Sequence, residues 1–351
     1  MTALELKLQA AARSALLFLA ACLAATSAGA QTVVRVGNVN TVSDIGIYIA
    51  DKKGYFEAEG LTVQMTPFTT AAQMVAPLGA GQLDVGGGTI SAGLYNANAR
   101  AIGILIVADK GSTKPGYTFS SLMIRKDHID SGRFKTLKDL KGMKIATAGP
   151  GTGNVATLNA ALEKAGLQFA DVEVVALGFP QHVVAYANKA IDAGITNEPS
   201  ASVAIRQGVA VRAPGDDDIY PYHQTAGLLY SAAFAKSQPD AALKFMRAYI
   251  KGARDYNDSL KDGRISGPNA EEVIAILREY TAVKDEKLLR ETTPSAVDPD
   301  GKVLIDSLRR DFAFFKRQKW IEKDDITVEA VVDTSFARKA VEQLGAYKPK
   351  S

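Results

Sequence analysis

MKIATAGPGTGNVATLNAALEKAG, residues 143–166, holds the decision about the fold in one stretch. Residues 143–148 are an apolar, partly β-branched run of strand length. Gly149 to Gly153 form a glycine-rich loop, and a helix is predicted from about Asn154 to Ala165. Val155, Leu158 and Leu162 share one face of that helix, and Gly166 is placed to stop it. Strand, tight loop and helix in succession are the unit from which parallel α/β sheets are built. The rhythm continues in both directions. Upstream, 33–39 (VVRVGNV), 61–66 (LTVQMT), 101–108 (AIGILIVA) and Leu122-Met123-Ile124 read as strands. A helix is expected over Ile45–Lys53, another over Ala71–Ala80, and a third starting at Thr89 after the triple glycine Gly86–Gly88. Downstream, 172–177 (VEVVAL) and 191–196 read as strands around a helix from about His182 to Ala190. The last third is mostly helical, with helices expected from Pro239 to about Asn257 and over 270–281, 302–317 and 334–344.

The central loop carries the first candidate chemistry. Gly151, Gly153 and Ala156 satisfy the G-x-G-x-x-A pattern of dinucleotide-binding turns, but the next strand ends in Leu177-Gly178 without the acidic residue that would hold a ribose. What survives is more general: a glycine loop opening a helix offers backbone N–H groups and the positive end of a dipole. The arrangement occurs three times, at Thr41/Ser43, at Gly86–Ser91 (with Gly88 and Thr89), and at Thr152-Gly153-Asn154. Short hydroxyl side chains there also serve as ordinary helix caps; three together point to a small polar or anionic ligand. Asp44 and Glu198 sit in comparable loops and oppose an anion unless they turn away or meet an amine. His182, in the loop after VEVVAL, is a further candidate contact.

No catalytic residue is assigned, because His128, His182 and His223 have no nucleophile motif nearby. Three His and one Cys offer no material for a metal centre, and Asp216-Asp217-Asp218 lacks the second carboxylate cluster of a calcium loop. The 351 residues carry 41 Lys+Arg against 38 Asp+Glu, with no basic run, which argues against a nucleic-acid surface. No cofactor is expected. The aromatic string Phe312, Phe314, Phe315 and Trp320 reads as a helix packing face.

The N-terminus is read as an export signal. Lys7 and Arg13 precede the unbroken apolar run 15–25 (ALLFLAACLAA), and Ala28-Gly29-Ala30 supplies a small-residue cleavage site. The run falls short of the about 20 residues that span a bilayer. Cleavage after Ala30 removes Cys22; alternatively, Leu19-Ala20-Ala21-Cys22 is similar to a lipobox and makes Cys22 a lipid anchor.

Residues 49–60 (IADKKGYFEAEG), 79–88 (GAGQLDVGGG), 137–149 (LKDLKGMKIATAG), 158–166 (LNAALEKAG), 190–199 (AIDAGITNEP), 234–239 (FAKSQP) and 319–336 (KWIEKDDITVEAVVDTSF) stand in an order that resembles the solute-binding proteins of ABC importers. The resemblance is to the nitrate/sulfonate/taurine type, which includes binders of thiamine-pyrimidine precursors. It implies a type II-like periplasmic binding protein: two α/β lobes joined by two crossing strands, with the ligand cleft between them. On this sequence the crossings map near Ser120-Ser121 and Gln224–Leu229. Residues 31–121 plus 224–351 would form the first lobe, and 122–223 the second. By the same resemblance, ligand contacts fall on Thr41, Ser43, Asp44, Thr69, Thr70, Gly88, Thr89, Thr152, Gly153, Asn154, Asn197 and Glu198. Ser200 departs from the pattern, since an aromatic residue often follows the Glu-Pro pair. The partners implied are a small-molecule ligand and an ABC permease of the inner membrane, met by a periplasmic monomer through hinge closure. Two alternatives stay open: an enzyme on the same fold, similar to chorismate dehydratases or pyrimidine-precursor synthases, and a solute sensor.

Overall fold

The computed structural model describes residues 31–215 and 218–350. The export signal at 1–30, with Cys22 and the cleavage point after Ala30, lies outside them, as do Asp216 and Asp217. Among the described residues no helix is long and apolar enough to cross a membrane.

Two five-stranded mixed sheets make the two lobes. The first contains β1 (Thr32–Asn38), β2 (Leu61–Pro67), β3 (Val85–Thr89), β4 (Ile104–Ser112) and β10 (Gln224–Ser231) in the order β2-β1-β3-β10-β4. The second contains β5 (Ser120–Arg125), β6 (Lys144–Thr147), β7 (Glu173–Ala176), β8 (Ala193–Asn197) and β9 (Ala210–Arg212) in the order β7-β6-β8-β5-β9. Each sheet has one strand running against its neighbours. In the first it is β10, antiparallel to β3 and β4; in the second it is β5, antiparallel to β8 and β9. Both are the strands by which the chain arrives from the other lobe.

The expected rhythm of strands and helices is present, though the helix expected from His182 starts three residues earlier, at Phe179, the one expected from 302 starts at Ile305, and one segment changes type. The triple glycine is not a loop before a helix but the middle of β3, where Gly86, Gly87 and Gly88 pair with Leu229, Leu228 and Gly227 of β10. The helix expected from Thr89 starts three residues later, as α2 (Ala92–Ala99), after α1 (Ile45–Lys52). Gly87 is bare for a local reason: a Cβ there would lie 3.0 Å from Cε of Lys110 and 3.3 Å from Cδ1 of Ile47.

The second sheet carries α3 (Gly153–Ala165), α4 (Phe179–Ala187) and α5 (Ser200–Arg206); α6 (Pro239–Asp258), α7 (Ala270–Tyr280), α8 (Ile305–Arg317) and α9 (Ser335–Leu344) follow β10. Helix α6 is the main support of the first sheet. Its Phe245, Met246, Tyr249 and Ile250 are fully or almost fully buried with Val34, Val36, Ile47 and Leu228. A second cluster joins the lobes: Val155 and Ala156 of α3 pack with Leu229, Tyr95, Phe314 and Phe315. Trp320 and Phe314 meet Phe169 of the second lobe edge-on, ring centroids 5.7 and 5.6 Å apart, and each other at 5.4 Å. The aromatic string is therefore a packing face.

The tightest helix contact is α1 on α6. A Cβ on Gly252 would stand 2.2 Å from the carbonyl oxygen of Gly46 and 3.1 Å from the amide nitrogen of Ala50, so the backbones touch. Gly252→Ala gains about 1 kcal/mol of helix propensity but forces the helices apart. The expected outcome is a net loss of about 2 kcal/mol, read as a lowered midpoint in urea unfolding.

Candidate functional site

The cleft between the sheets has two adjoining compartments. The inner one, about 20 Å³, is lined by Thr70, Gly88, Thr89 and Lys110 of the first lobe and by Thr152 and Asn197 of the second. It has room for a water-sized group. The outer one is an open groove of about 790 Å³. Val39, Thr69 and Phe179 line both.

A buried ion pair forms the floor. Lys110, on β4, places Nζ 2.7 Å from Oδ1 of Asp44, and neither side chain is exposed. Nζ also donates to Oγ of Ser43 at 3.0 Å, and that hydroxyl lies 3.0 Å from Oγ1 of Thr41. Asp44 Oδ2 accepts the amide hydrogens of Thr41 and Val39 at 3.0 and 3.2 Å. The carboxylate thus folds back over the tight turn at 42–44 that leads into α1 and satisfies the amides before it. Asp109, next to Lys110, is turned away. It accepts from Gln224 Nε2 at 2.6 Å, from the Gly111 and Asp298 amides, and from Ser112, tying β4 to β10.

The other glycine-loop helix is also used within the protein. Gly153 N–H donates to the Ile90 carbonyl at 3.0 Å and Ala92 N–H donates to the Gly151 carbonyl at 2.7 Å, with Ser91 and Thr152 bridged across the lobes. The two helix entries expected to face a ligand are bonded to each other. Thr152 Oγ1 donates to the Gly149 carbonyl at 2.8 Å.

Six of the residues singled out in the sequence line the inner compartment: Thr69, Thr70, Gly88, Thr89, Thr152 and Asn197. Thr41 and Glu198 line the outer groove, and Ser43 a small side niche beside Asn197. Asp44 lies under the floor. Gly153, Asn154 and His182 line neither compartment. Asn154 stands behind the wall, donating to Ser120 Oγ at 2.7 Å and Asn197 Oδ1 at 3.0 Å. His182 is fully buried inside the second lobe. Its Nε2 donates to the Leu177 carbonyl at 3.2 Å, so Nδ1 accepts from Thr196 Oγ1 at 3.0 Å. Burial pushes its pKa down to about 4, which keeps the ring neutral. Glu198 is compensated by Arg212 and accepts the Ser202 amide at 3.0 Å, at the start of α5.

Lys110, Phe119 and Phe179 were not singled out from the sequence, yet all three line the inner compartment. For Lys110 a signal existed: it is a lone cation ending the apolar run 101–108 and Asp109. The aromatic walls, Phe119, Phe179 and, further out, Phe68, stand where no Glu-Pro-aromatic pattern would place them.

Residues 41–258 match the family described as NMT1/THI5 like. A Brucella abortus (strain 2308) protein carrying a binding-protein name is 30% identical over 225 residues, 64% of this chain and 66% of that protein, so the chain spans just under two thirds of the length of such relatives. An ABC transporter periplasmic binding protein of Brachyspira hyodysenteriae is 25% identical over 349 residues, 93% of this chain and 95% of the relative. A 4-amino-5-hydroxymethyl-2-methylpyrimidine phosphate synthase of Aspergillus parasiticus is 30% identical over 226 residues, 60% and 61%. Among solved structures, the periplasmic nitrate-binding protein NrtA from Synechocystis PCC 6803 superposes with a TM-score of 0.73 at 15% identity, over 89% of each chain. The fold is that of periplasmic binding proteins.

Two outcomes follow from the buried groups. Lys110→Met leaves the Asp44 carboxylate alone in the interior and is expected to cost about 3–5 kcal/mol in urea unfolding; adding Asp44→Asn should recover most of it. The native pKa of His182 lies below the unfolded value of about 6.5, so the unfolded chain takes up the proton first. Its contribution is complete above about pH 6.5 and drains as pH falls toward about 4, by on the order of 3 kcal/mol. His182→Gln should flatten the stability–pH profile over that window.

Proposed function

We propose, since the chain belongs to the NMT1/THI5-like family, that it is an exported solute-binding protein. It captures a small polar solute between its lobes and delivers it to the permease of an ABC importer in the inner membrane. The observation that carries this reading is the cleft itself: one compartment lined by threonines and an asparagine from both sheets, with no nucleophile–base pair among its lining residues. The names of the Brucella and Brachyspira relatives support it. The lobe boundaries belong to the same proposal: residues 31–121 plus 224–351 on one side, 122–223 on the other. So does export through a signal cleaved after Ala30. The chain passes between the sheets over 113–119 and returns from β9 to β10, and these two crossings are the natural hinge.

Binding works by closure. A solute touching Thr69 and Thr89 on one side and Thr152 and Asn197 on the other stabilises only the state in which both sides meet. At the mouth, Arg206 of α5 reaches Asp285 and Glu291 across the cleft. These pairs are largely exposed and so act as a weak clasp, worth at most about 1 kcal/mol. Arg206→Ala is expected to speed solute release by no more than about fivefold, measured by stopped flow.

The Aspergillus relative favours a second reading, synthesis of a pyrimidine phosphate on the same fold. A thermal-shift screen of sulfonates, nitrate, carboxylates, uncharged amides and pyrimidines separates the two. A bound solute at 100 times its Kd adds about 2.7 kcal/mol of stability and is recovered intact. Conversion of the hit to a new product overturns the transport reading, as does undiminished uptake after deletion of the gene. Thr89→Val, which removes one hydroxyl from the inner wall, should weaken the hit roughly tenfold without lowering the midpoint of the empty protein.

A further inference from the structure

The charges of the cleft are already spoken for. Among the described residues, Lys110 is the one ionised side chain lining the inner compartment, and its charge is met by Asp44 at 2.7 Å. Glu198 is likewise the one lining the outer groove, and its charge is met by Arg212. The helix entries that could replace a cation are occupied as well: Asp44 stands at the start of α1, Glu198 at the start of α5, and the entries of α2 and α3 are bonded to each other. An anion entering this cleft loses its hydration and finds no uncompensated positive charge in return. An uncharged acceptor pays far less to enter and still has a donor to meet. A lysine ammonium carries three N–H bonds; Ser43 accepts one, and Asp44 faces the ammonium at 2.7 Å as a charge partner without an aligned hydrogen bond, so the compartment that Lys110 lines can still draw on a donor.

Size adds a second constraint. The inner compartment accommodates a group of about one water's volume, whereas the adjoining groove of about 790 Å³ has the dimensions of a site for a whole small molecule. The groove is apolar on both sides, with Phe68 and Val283 from the first lobe facing Phe179, Val183, Val184 and Val203 from the second. Val184 is 59% exposed, a large apolar side chain left open to water at the groove wall. Val39, Thr69 and Phe179 belong to both compartments, so one molecule can occupy the two together.

We infer that the solute is uncharged and bipartite: a small hydrogen-bond acceptor seated against Lys110 in the inner compartment, joined to an apolar body lying in the outer groove. This rests on the solute-binding reading above and narrows its ligand class, setting aside bare inorganic anions and short sulfonates. Lys110 is then the specificity-determining donor, held in place by Asp44 and Ser43, and the groove valines set the preferred length of the apolar body.

The test is calorimetric titration of the purified protein with matched pairs, the linear aliphatic amides and carboxylates of two, four, six and eight carbons, and benzamide against benzoate. Each amide is expected to bind at least tenfold tighter than its carboxylate. Affinity should rise with apolar length and stay unchanged between low and high sodium chloride. Val184→Ser should flatten the dependence on length while leaving the shortest amide unaffected. The paired variant Asp44→Asn/Lys110→Met, which keeps the floor uncharged, should erase the preference for an acceptor head in a protein that still unfolds cooperatively. Carboxylates or sulfonates binding tighter than amides, with affinity falling in salt, overturn the inference, and so does an affinity indifferent to chain length. A protein that takes nitrate or a short sulfonate in the thermal-shift screen but no amide sinks this inference and leaves solute binding standing. One that takes nothing in that screen removes the solute-binding reading itself.

Discussion

The contact between Lys110 and Asp44 organises the centre of the molecule. Two opposite charges without any exposure are stable only as a pair. That requirement fixes three elements at once. Strand β4 must present Lys110 toward the cleft, the segment before α1 must fold back so that Asp44 accepts the Thr41 and Val39 amides, and β3 must be bare at Gly87 to let the lysine stem pass. Removing one charge therefore threatens the fold more than replacing both with uncharged groups.

Around that centre the two sheets follow the same plan. In each, the fourth strand in order is antiparallel and comes from the opposite lobe. The lobes share more than their connections, because α3 is wedged between β10 of the first sheet and the aromatic group of Phe314 and Trp320. One side of the cleft is packed and hydrogen-bonded across the lobes, whereas the other is bridged by exposed ion pairs.

Much of this was legible in the sequence because it depends on local pattern. Residues 143–166 form a strand, a glycine loop and a helix ending at Gly166 whose left-handed backbone, φ 70°, suits a glycine. The helices from Pro239, 270 and 334 begin within a residue of where their apolar periodicity places them. What escaped depends on remote partners. Three consecutive glycines read locally as a turn; they form a strand because β10, from beyond the second lobe, pairs with them and because Leu78, Ala71 and Lys110 fill the space their side chains would need. Lys110 carries no motif, since its role comes from Asp44 on another element. His182 stands not in the loop after β7 but in the first turn of α4, turned into its own lobe by Thr196 and the Leu177 carbonyl. The glycine loop at 151–153 has the geometry of an anion cradle and spends it on Ile90.

The central place of β10 in the first sheet also governs the order in which the protein can be made. Until that strand emerges, β3 and β4 have no neighbour between them, and β4 carries an open edge of backbone donors and acceptors. The second sheet has no such wait, because all its strands are synthesised in one uninterrupted stretch from Ser120 to Arg212. The inserted lobe can thus complete its core while the lobe that encloses it is still two unjoined pieces, and the slow, long-range closure falls to the last third of the chain. The half that begins first at the ribosome is thus the half that finishes last.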